Sequence, residues 1–189
     1  MIYIVPAIKS QYKKQYEISL DIKLIEFLKK FYNKDVRVLT EISNLNKDCK
    51  LLVISGGNTI PKISKKEKDQ IRSKFDCHYF KQAINNKIPI LGICHGAQFI
   101  ASFFSSKLNP IINHVGNHFI THKGKKFKVN SFHNYGIIKL GKKLLETSRA
   151  NDESIESFTH KNYKIKGIMW HPERNDKIKK IDKLILLNT

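Results

Sequence analysis

One cysteine in this sequence lies between two glycines, at a junction that favours nucleophilic chemistry. Gly92, Cys94 and Gly96 form a G-x-C-x-G pattern between an apolar strand-like run and a run with helical spacing. The glycines leave room for a sharp turn and for close backbone approach. A sulfur at the start of a helix is favoured as thiolate, and the next amide N–H faces a developing oxyanion. A buried cysteine in an ordinary turn is the alternative; the paired glycines favour a catalytic nucleophile.

A second segment supplies the base that a thiol nucleophile requires. An apolar strand ends at His171, and Glu173 follows Pro172 two residues later. The proline restricts the backbone, which helps the carboxylate turn back toward the imidazole. The alternative is an exposed loop that contains a histidine and a glutamate by chance, since the chain has 8 histidines. Together with Cys94, the pair predicts a triad of nucleophile, base and orienting acid.

The elements that must position these residues alternate between strand and helix. Apolar periodicity predicts strands at 1–6, 36–39, 50–54 and 88–93, and helices at 16–31, 66–86 and 96–104. This alternation predicts a parallel sheet covered on both faces, with its site at the carboxyl ends of the strands. Shorter strands are predicted after Pro110, with a final helix. They are expected at 111–115, 118–121, 127–129, 154–159 and 166–170, with the helix at 176–187.

Composition narrows the class of protein. The chain has 189 residues, of which 41% are hydrophobic, and it shows no repeat or linker, so residues 1–189 are predicted to form one domain. No run approaches the roughly 18–20 apolar residues of a membrane span, and the apolar N-terminus lacks the basic segment of a signal peptide. Three cysteines are an odd and sparse set, which favours a reducing, cytoplasmic setting over a disulfide framework.

The net charge of +19 has three interpretations. The charge could reflect a solvated, lysine-rich surface, a site that attracts an anionic small molecule, or a surface that binds nucleic acid. The lysines are scattered, and no basic stripe with interleaved aromatic residues appears, so nucleic acid is the least favoured partner.

Four blocks in this order resemble the class I glutamine amidotransferase superfamily, and more narrowly its gamma-glutamyl hydrolase branch (peptidase family C26). The blocks are 55–57, 92–98, 129–133 and 171–173. The resemblance implies an α/β, flavodoxin-like three-layer sandwich with a mainly parallel central sheet and a nucleophile elbow. It also implies that Cys94 is the nucleophile, His171 the general base and acid, and Glu173 the orienting residue.

The same resemblance implies the rest of the pocket. The backbone N–H groups of Gly57 and His95 are expected to form the oxyanion hole. The expected substrate contacts are Gly56, Gln98, Asn130, Ser131, Phe132 and His133. In one respect the sequence departs from the branch, which often has an acidic residue two positions after the double glycine, where Thr59 stands here. The irregular segment 58–66 is therefore a less typical loop, and it is expected to run over the site.

No cofactor and no metal are predicted. His114, His118 and His122 recur at every fourth position, which on a helix would indicate a metal site. Their segment is predicted as strand or loop, with Gly116 inside it, so a role at the pocket edge is preferred. His118 is expected to contact an anionic leaving group.

The predicted function is cysteine-dependent hydrolysis of a gamma-glutamyl amide through a thioester. The runs 130–134 and 167–174 resemble members of the branch whose small-molecule substrate is nucleotide-linked and anionic, in the synthesis of capsule or surface polysaccharide. The alternatives are a gamma-glutamyl polyamine or gamma-aminobutyrate substrate, a glutaminase subunit that feeds ammonia to a separate synthase, and a non-enzymatic scaffold with a vestigial pocket.

Overall fold

The fold is a mixed β-sheet between two layers of helices. A computed structural model describes residues 1–112 and 114–187. The strands in these ranges are β1 (Ile2–Val5), β2 (Ala7–Lys9), β3 (Glu17–Ser19), β4 (Val36–Val38), β5 (Leu51–Ile54), β6 (Ile90–Ile93), β7 (Lys107–Pro110), β8 (Val115–His122), β9 (Lys125–Phe132), β10 (Tyr135–Lys139), β11 (Leu144–Ala150), β12 (Ile155–His160) and β13 (Ile165–Ile168). The helices are α1 (Ile22–Tyr32), α2 (Glu67–Asn85), α3 (His95–Phe103) and α4 (Lys180–Leu186). None of these helices has the length and apolar character needed to cross a membrane.

The main sheet has a parallel half and an antiparallel half. Its strand order is β4-β1-β5-β6-β13-β12-β11-β8-β9, and β10 joins β7 to β12. All pairs from β4 to β13 are parallel, whereas the strands beyond β13 pair antiparallel. The predicted α/β fold with a parallel sheet is thus confirmed for the half that contains the strand ends of interest.

Both faces of the parallel strands β1, β5 and β6 are buried, as their continuous hydrophobic sequences predict. Helices α2 and α3 pack on one face through Tyr79, Phe80 and Ile100. Helices α1 and α4 pack on the other face through side chains such as Leu28 and Ile185. The helix layers therefore hold the sheet rigidly from both sides.

Several predicted elements are wrong in their extent; the final helix, for example, begins at Lys180 rather than at residue 176. The helix predicted at 16–31 begins only at Ile22, because the Asp21 side chain accepts a hydrogen bond from the Lys23 N–H and caps it. The residues before the cap form β3, which pairs with β2 as a small hairpin. The strand predicted at 111–115 is also incorrect, because β7 ends at Pro110 and Ile112 is 81% exposed. Asn113 in that prediction lies outside the described residues.

Strand register brings three segments to one edge of the sheet. Strand β6 lies between β5 and β13, with Gly92 opposite Ile54 and Ile93 opposite Ile168. The chain that follows each strand therefore leaves the sheet at nearly the same level. Residues 55–57, Cys94 and His171 meet for this reason, although they are far apart in sequence.

The two glycines around Cys94 permit close packing of α3 on the sheet. A Cβ atom on Gly96 would lie 2.0 Å from the carbonyl oxygen of Ile54, and one on Gly92 would lie 2.6 Å from the Gly96 main chain. Neither position has space for a side chain. The glycine pattern is thus explained by contact between helix and strand backbones.

We expect Gly96→Ala to destabilise the protein by about 3 kcal/mol or more, because the new methyl group overlaps backbone that has little freedom to move. The free energy of unfolding from urea titration measures the effect. Gly124→Ala is the matched control, since Gly124 has a φ of 74° but open space around its Cβ position, and strain there costs about 1 kcal/mol. Equal losses in the two variants would contradict the packing argument.

Candidate active site

Cys94 lies on a strained turn between β6 and α3. Its φ of 51° and ψ of −104° belong to a region that non-glycine residues rarely adopt. The Cys94 N–H donates to the Ile168 carbonyl at 2.8 Å, which ties the turn to β13. Because α3 begins at the next residue, the sulfur is placed at the positive end of the helix dipole.

His171 and Glu173 form a buried pair beside this turn. Pro172 begins a single 3₁₀ turn over Pro172–Arg174, which returns the Glu173 carboxylate to the imidazole. The His171 Nδ1–H donates to Glu173 Oε1 at 2.6 Å, and both side chains are at most 5% exposed. With Nδ1 used in this way, Nε2 is the ring nitrogen left for chemistry.

The electrostatic environment favours the charged form of His171. Burial alone would lower the pKa of the ring, but its interactions with the Cys94 thiol and the Glu173 carboxylate raise the pKa to about 9. The ring is therefore cationic at neutral pH. An imidazolium next to a cysteine stabilises the thiolate, which is the nucleophilic form.

Gly56 and Gly57 complete the wall around the sulfur. A Cβ on Gly56 would lie 2.7 Å from His171 Cε1 and 3.4 Å from both His171 Nε2 and Cys94 Cβ. Gly56 therefore borders the histidine and the cysteine at once, and no larger residue fits without displacing the ring. Gly57 has a φ of 119°, which favours glycine.

Asn130 holds the main chain of His171 in place. Its side-chain Nδ2 donates to the His171 carbonyl at 2.7 Å, and its Oδ1 accepts from the His171 N–H at 2.8 Å. Phe132, two residues along β9 and on the same face, contacts the His171 ring edge-on at 5.8 Å between centroids. Both polar groups of the Asn130 side chain are thus engaged in positioning His171, and its substrate contact stays a prediction.

A buried charge network lies beneath the turn. The Arg72 guanidinium donates to Asp76 Oδ1 at 2.7 Å and to the Ser55 carbonyl at 2.9 Å. The two ring nitrogens of His95 lie 2.8 Å from Asp76 Oδ2 and 2.8 Å from the Asn58 carbonyl. Burial alone would raise the Asp76 pKa, but Arg72 and His95 hold it below its usual value. The network connects α2, the residues after β5 and the start of α3.

A cleft of about 280 Å³ opens next to the histidine. Gly56, Gly57, His171 and Glu173 contribute to its wall, and two basic residues, Lys9 and Arg174, lie there as well. The Arg174 guanidinium lies 4.7 Å from the centre of the Phe132 ring and 3.4 Å from Asp21. The cleft thus places the imidazole near two basic residues, one of which is paired with Asp21.

Most of the chain matches one known family. Residues 13–185 match the family described as glutamine amidotransferase class-I. The chain belongs to this family. The predicted superfamily is thereby confirmed.

Individual relatives within the family differ in what their names say they do. The chain is 42% identical over 132 residues to the gamma-glutamyl-CDP-amidate hydrolase of Campylobacter jejuni, a match that covers 70% of this chain and 66% of that protein. It is 28% identical over 145 residues to a glutamine-hydrolysing GMP synthase component of Methanococcus aeolicus, covering 71% of this chain and 70% of that one. The chain thus spans just under two thirds of the length of the Campylobacter relative.

Solved structures support the fold. A glutamine amidotransferase from Thermotoga maritima superposes with a TM-score of 0.67 at 15% identity, covering 91% of this chain and 75% of the other. At this identity the likeness speaks for the architecture alone.

The remaining predicted pocket residues divide into two groups. Phe132 is 45% exposed beside His171, and Gln98 lies in α3 with its amide donating to the Tyr135 carbonyl at 2.9 Å. Ser131 is fully buried and donates to the His114 carbonyl at 2.6 Å, and the His133 ring faces Glu156, so the substrate contacts of these two residues stay predictions. Alternation along β9 explains the division, because Ser131 and His133 lie on the face opposite Asn130 and Phe132.

Two positioning features were missed from the sequence. The clamp by Asn130 and the network of Arg72 and Asp76 both depend on long-range pairing. A weak signal existed for the network, since Arg72 and Asp76 are four residues apart in a predicted helix.

We predict that Glu173→Gln lowers the pKa of the His171 ring from about 9 by about 1–3 units, because the neutral amide no longer stabilises the cation. An NMR titration of the His171 imidazole, assigned with His171→Asn, measures the change. Asp21→Asn is the control, because it removes a carboxylate from the same cleft and Asn caps a helix equally well. An unchanged titration in Glu173→Gln would contradict the proposed ion pair.

Asp76→Asn is expected to lower the free energy of unfolding by about 3–5 kcal/mol, since it leaves a buried guanidinium without its partner. Asp76 stabilises the folded state at pH values above the pKa of a normal carboxyl group. This stabilisation is lost as the pH falls through the lowered pKa that Asp76 has in the folded protein. Urea unfolding at neutral pH measures the loss. Glu26→Gln is the control, because Glu26 is exposed. Its free energy of unfolding is expected to stay within about 0.5 kcal/mol of wild type. An equally small loss in Asp76→Asn would refute the structural role of the network.

Proposed function

We propose that the protein is a hydrolase that cleaves a gamma-glutamyl amide through a thioester on Cys94. The observation that carries this proposal is the position of Cys94 on a strained strand–helix turn, against an imidazole whose other nitrogen bonds to Glu173. This arrangement contains a nucleophile, a proton-transfer group and an orienting carboxylate. Family membership and the 42% identical relative support the choice of a gamma-glutamyl substrate.

In the first half of the reaction the Cys94 thiolate attacks the γ-carbonyl carbon. The oxyanion accepts hydrogen bonds from the N–H groups of Gly57 and His95; the latter opens α3 and has no acceptor within the helix. The C–N bond then breaks as the cationic His171 donates its Nε2 proton to the leaving nitrogen. A glutamyl thioester and a neutral imidazole remain.

In the second half the neutral His171 removes a proton from water, and the resulting hydroxide attacks the thioester carbonyl. Glutamate leaves, and the thiolate and imidazolium are restored. Glu173 keeps the ring orientation and the Nδ1 proton constant throughout. The Asn130 clamp keeps the histidine main chain from drifting between the two steps.

An anionic, nucleotide-linked leaving group fits the cleft best. Lys9 and Arg174 lie in its wall, where they can pair with phosphate oxygens. The Campylobacter relative is named for gamma-glutamyl-CDP-amidate, whose hydrolysis yields glutamate and cytidine diphosphoramidate. We assign this substrate to the chain, and with it a place in capsule or surface polysaccharide synthesis. A gamma-glutamyl polyamine is cationic and uses these basic residues less well, and a gamma-aminobutyrate compound offers them one carboxylate in place of two phosphates.

A glutaminase subunit that serves a separate synthase is the second candidate. The match to the GMP synthase component of Methanococcus aeolicus favours it. The two candidates differ in a simple respect: a subunit of this kind needs a partner for turnover, whereas the hydrolase acts alone.

We expect the purified chain alone to release glutamate from gamma-glutamyl-CDP-amidate faster than from glutamine or a gamma-glutamyl polyamine. Cys94→Ser and His171→Asn are expected to lower kcat by about 10³-fold or more, because each removes a member of a unit that works together. Mass spectrometry of the products measures both glutamate and the amidate.

Cys77→Ser is the matched control, because Cys77 is a partly buried cysteine in α2 outside the site. It should retain wild-type turnover. Glutamate release from glutamine only after a synthase is added would favour the second candidate. Full activity in Cys94→Ser would rule out the thioester route for either.

A further inference from the structure

Three histidines and a glutamate converge on the side of β9 away from the triad. The cluster consists of His114, His118, His133 and Glu156. His118 lies in β8 and Glu156 in β12, while His114 precedes β8 and His133 follows β9. The His114 ring centroid lies 4.5 Å from that of His118 and 5.0 Å from that of His133.

The cluster is buried, and its inner atoms have no hydrogen-bond partner among the described residues. The Glu156 side chain is fully buried, and those of His114 and His133 are at most 4% exposed. Both Glu156 oxygens, both His118 nitrogens, His114 Nδ1 and His133 Nε2 lack such partners. A buried carboxylate in this state is strongly disfavoured unless a cation neutralises it.

Hydrogen bonds on the outer side of the rings orient their lone pairs inward. His114 Nε2 lies 2.9 Å from Asp152 Oδ2, and His133 Nδ1 lies 3.1 Å from the Tyr135 carbonyl. Both partners accept, so these nitrogens carry the protons. In the neutral rings His114 Nδ1 and His133 Nε2 then present lone pairs to the same space as the carboxylate. A histidine that donates to a carboxylate from its other nitrogen is the usual arrangement in metal sites.

The distances among His114, His118 and Glu156 match three of the ligands of a four-coordinate ion. Two ligand atoms at about 2.0–2.1 Å from a tetrahedral zinc lie about 3.3 Å apart. His114 Nδ1 is 3.4 Å from Glu156 Oε1, and His118 Nε2 is 3.4 Å from Glu156 Oε2. His133 Nε2 is 3.7 Å from Oε1. The ligand atoms of His114, His118 and Glu156 all lie within 4.8 Å of one another.

We propose that His114, His118 and Glu156 bind one divalent transition-metal ion, for which Zn²⁺ is the best match to two imidazoles and a carboxylate, with the His133 ring beside the site. Three protein ligands leave the fourth tetrahedral position for a water molecule. This proposal replaces the expectation of no metal, which considered a different trio. His122, the third residue of that trio, is instead 2.8 Å from the Thr147 carbonyl through Nδ1.

The site has a structural consequence for the triad side. It joins β8 to β12, and β9, which pairs with β8, carries Asn130 and Phe132 on its other face. A metal that holds β8 therefore also restrains the neighbouring strand that clamps His171. The two sites lie on paired strands and share no ligand.

The test is metal binding by the full chain, stripped with a chelator and titrated with Zn²⁺ or Co²⁺. We expect about one equivalent to bind per chain, with Co²⁺ giving the intense visible absorption of a four-coordinate site. His118→Gln and Glu156→Gln are expected to lose this binding. Asp152→Asn removes only the outer carboxylate and is expected to weaken affinity about 10–100-fold.

His122→Gln is the matched control, because it removes a buried histidine from the same strand outside the cluster. It should bind Zn²⁺ as wild type does, and Zn²⁺ should raise the melting temperature of both. Since Asp152 is 44% exposed, its variant remains a test if a buried substitution prevents folding. Absence of saturable binding in wild type would overturn the proposal and leave protons as the charge that neutralises Glu156. Equal loss in His122→Gln and His118→Gln would do the same.

Discussion

The contact between the Gly96 main chain and the Ile54 carbonyl is the constraint on which the site depends. With no side chain between them, α3 can begin directly against the sheet. The chain therefore turns within one residue, and Cys94 takes the strained conformation with φ of 51°. Since β6 lies between β5 and β13, this one turn faces the glycines on one side and His171 on the other. A looser junction would separate the sulfur from both.

Buried charges then set the chemistry of this junction. Glu173 and Cys94 stabilise the His171 cation, against the effect of burial. Beneath the turn, Arg72 and Asp76 link α2 to the His95 ring, whose own N–H group opens α3. The supporting network and the reacting groups thus meet at adjacent residues. Apolar residues in place of Arg72 and Asp76 could stabilise the fold equally well. The buried charges are explained by the contact of Asp76 with the His95 ring at the start of α3.

Short sequence patterns predict the features that depend on residues close together in the chain. The paired glycines, the apolar strands and the His-Pro-Glu turn predicted the elbow, the parallel sheet and the meeting of Cys94 with His171. Long-range pairing escaped these patterns: the roles of Asn130 and Glu156 depend on strands that only the folded sheet brings together. The wrong start of α1 had a different cause, because an apolar run with helical spacing continued through the β3 hairpin until Asp21 capped the helix.

The central claim is that Cys94 carries the glutamyl group during turnover. Acid quenching of the reaction with gamma-glutamyl-CDP-amidate, followed by peptide mapping, tests it most directly. We predict a glutamyl adduct on the Cys94 peptide, and none on the peptides of Cys49 or Cys77. Slower deacylation in His171→Asn should not create an adduct elsewhere. Steady release of glutamate with no adduct on Cys94 at any quench time would contradict the account.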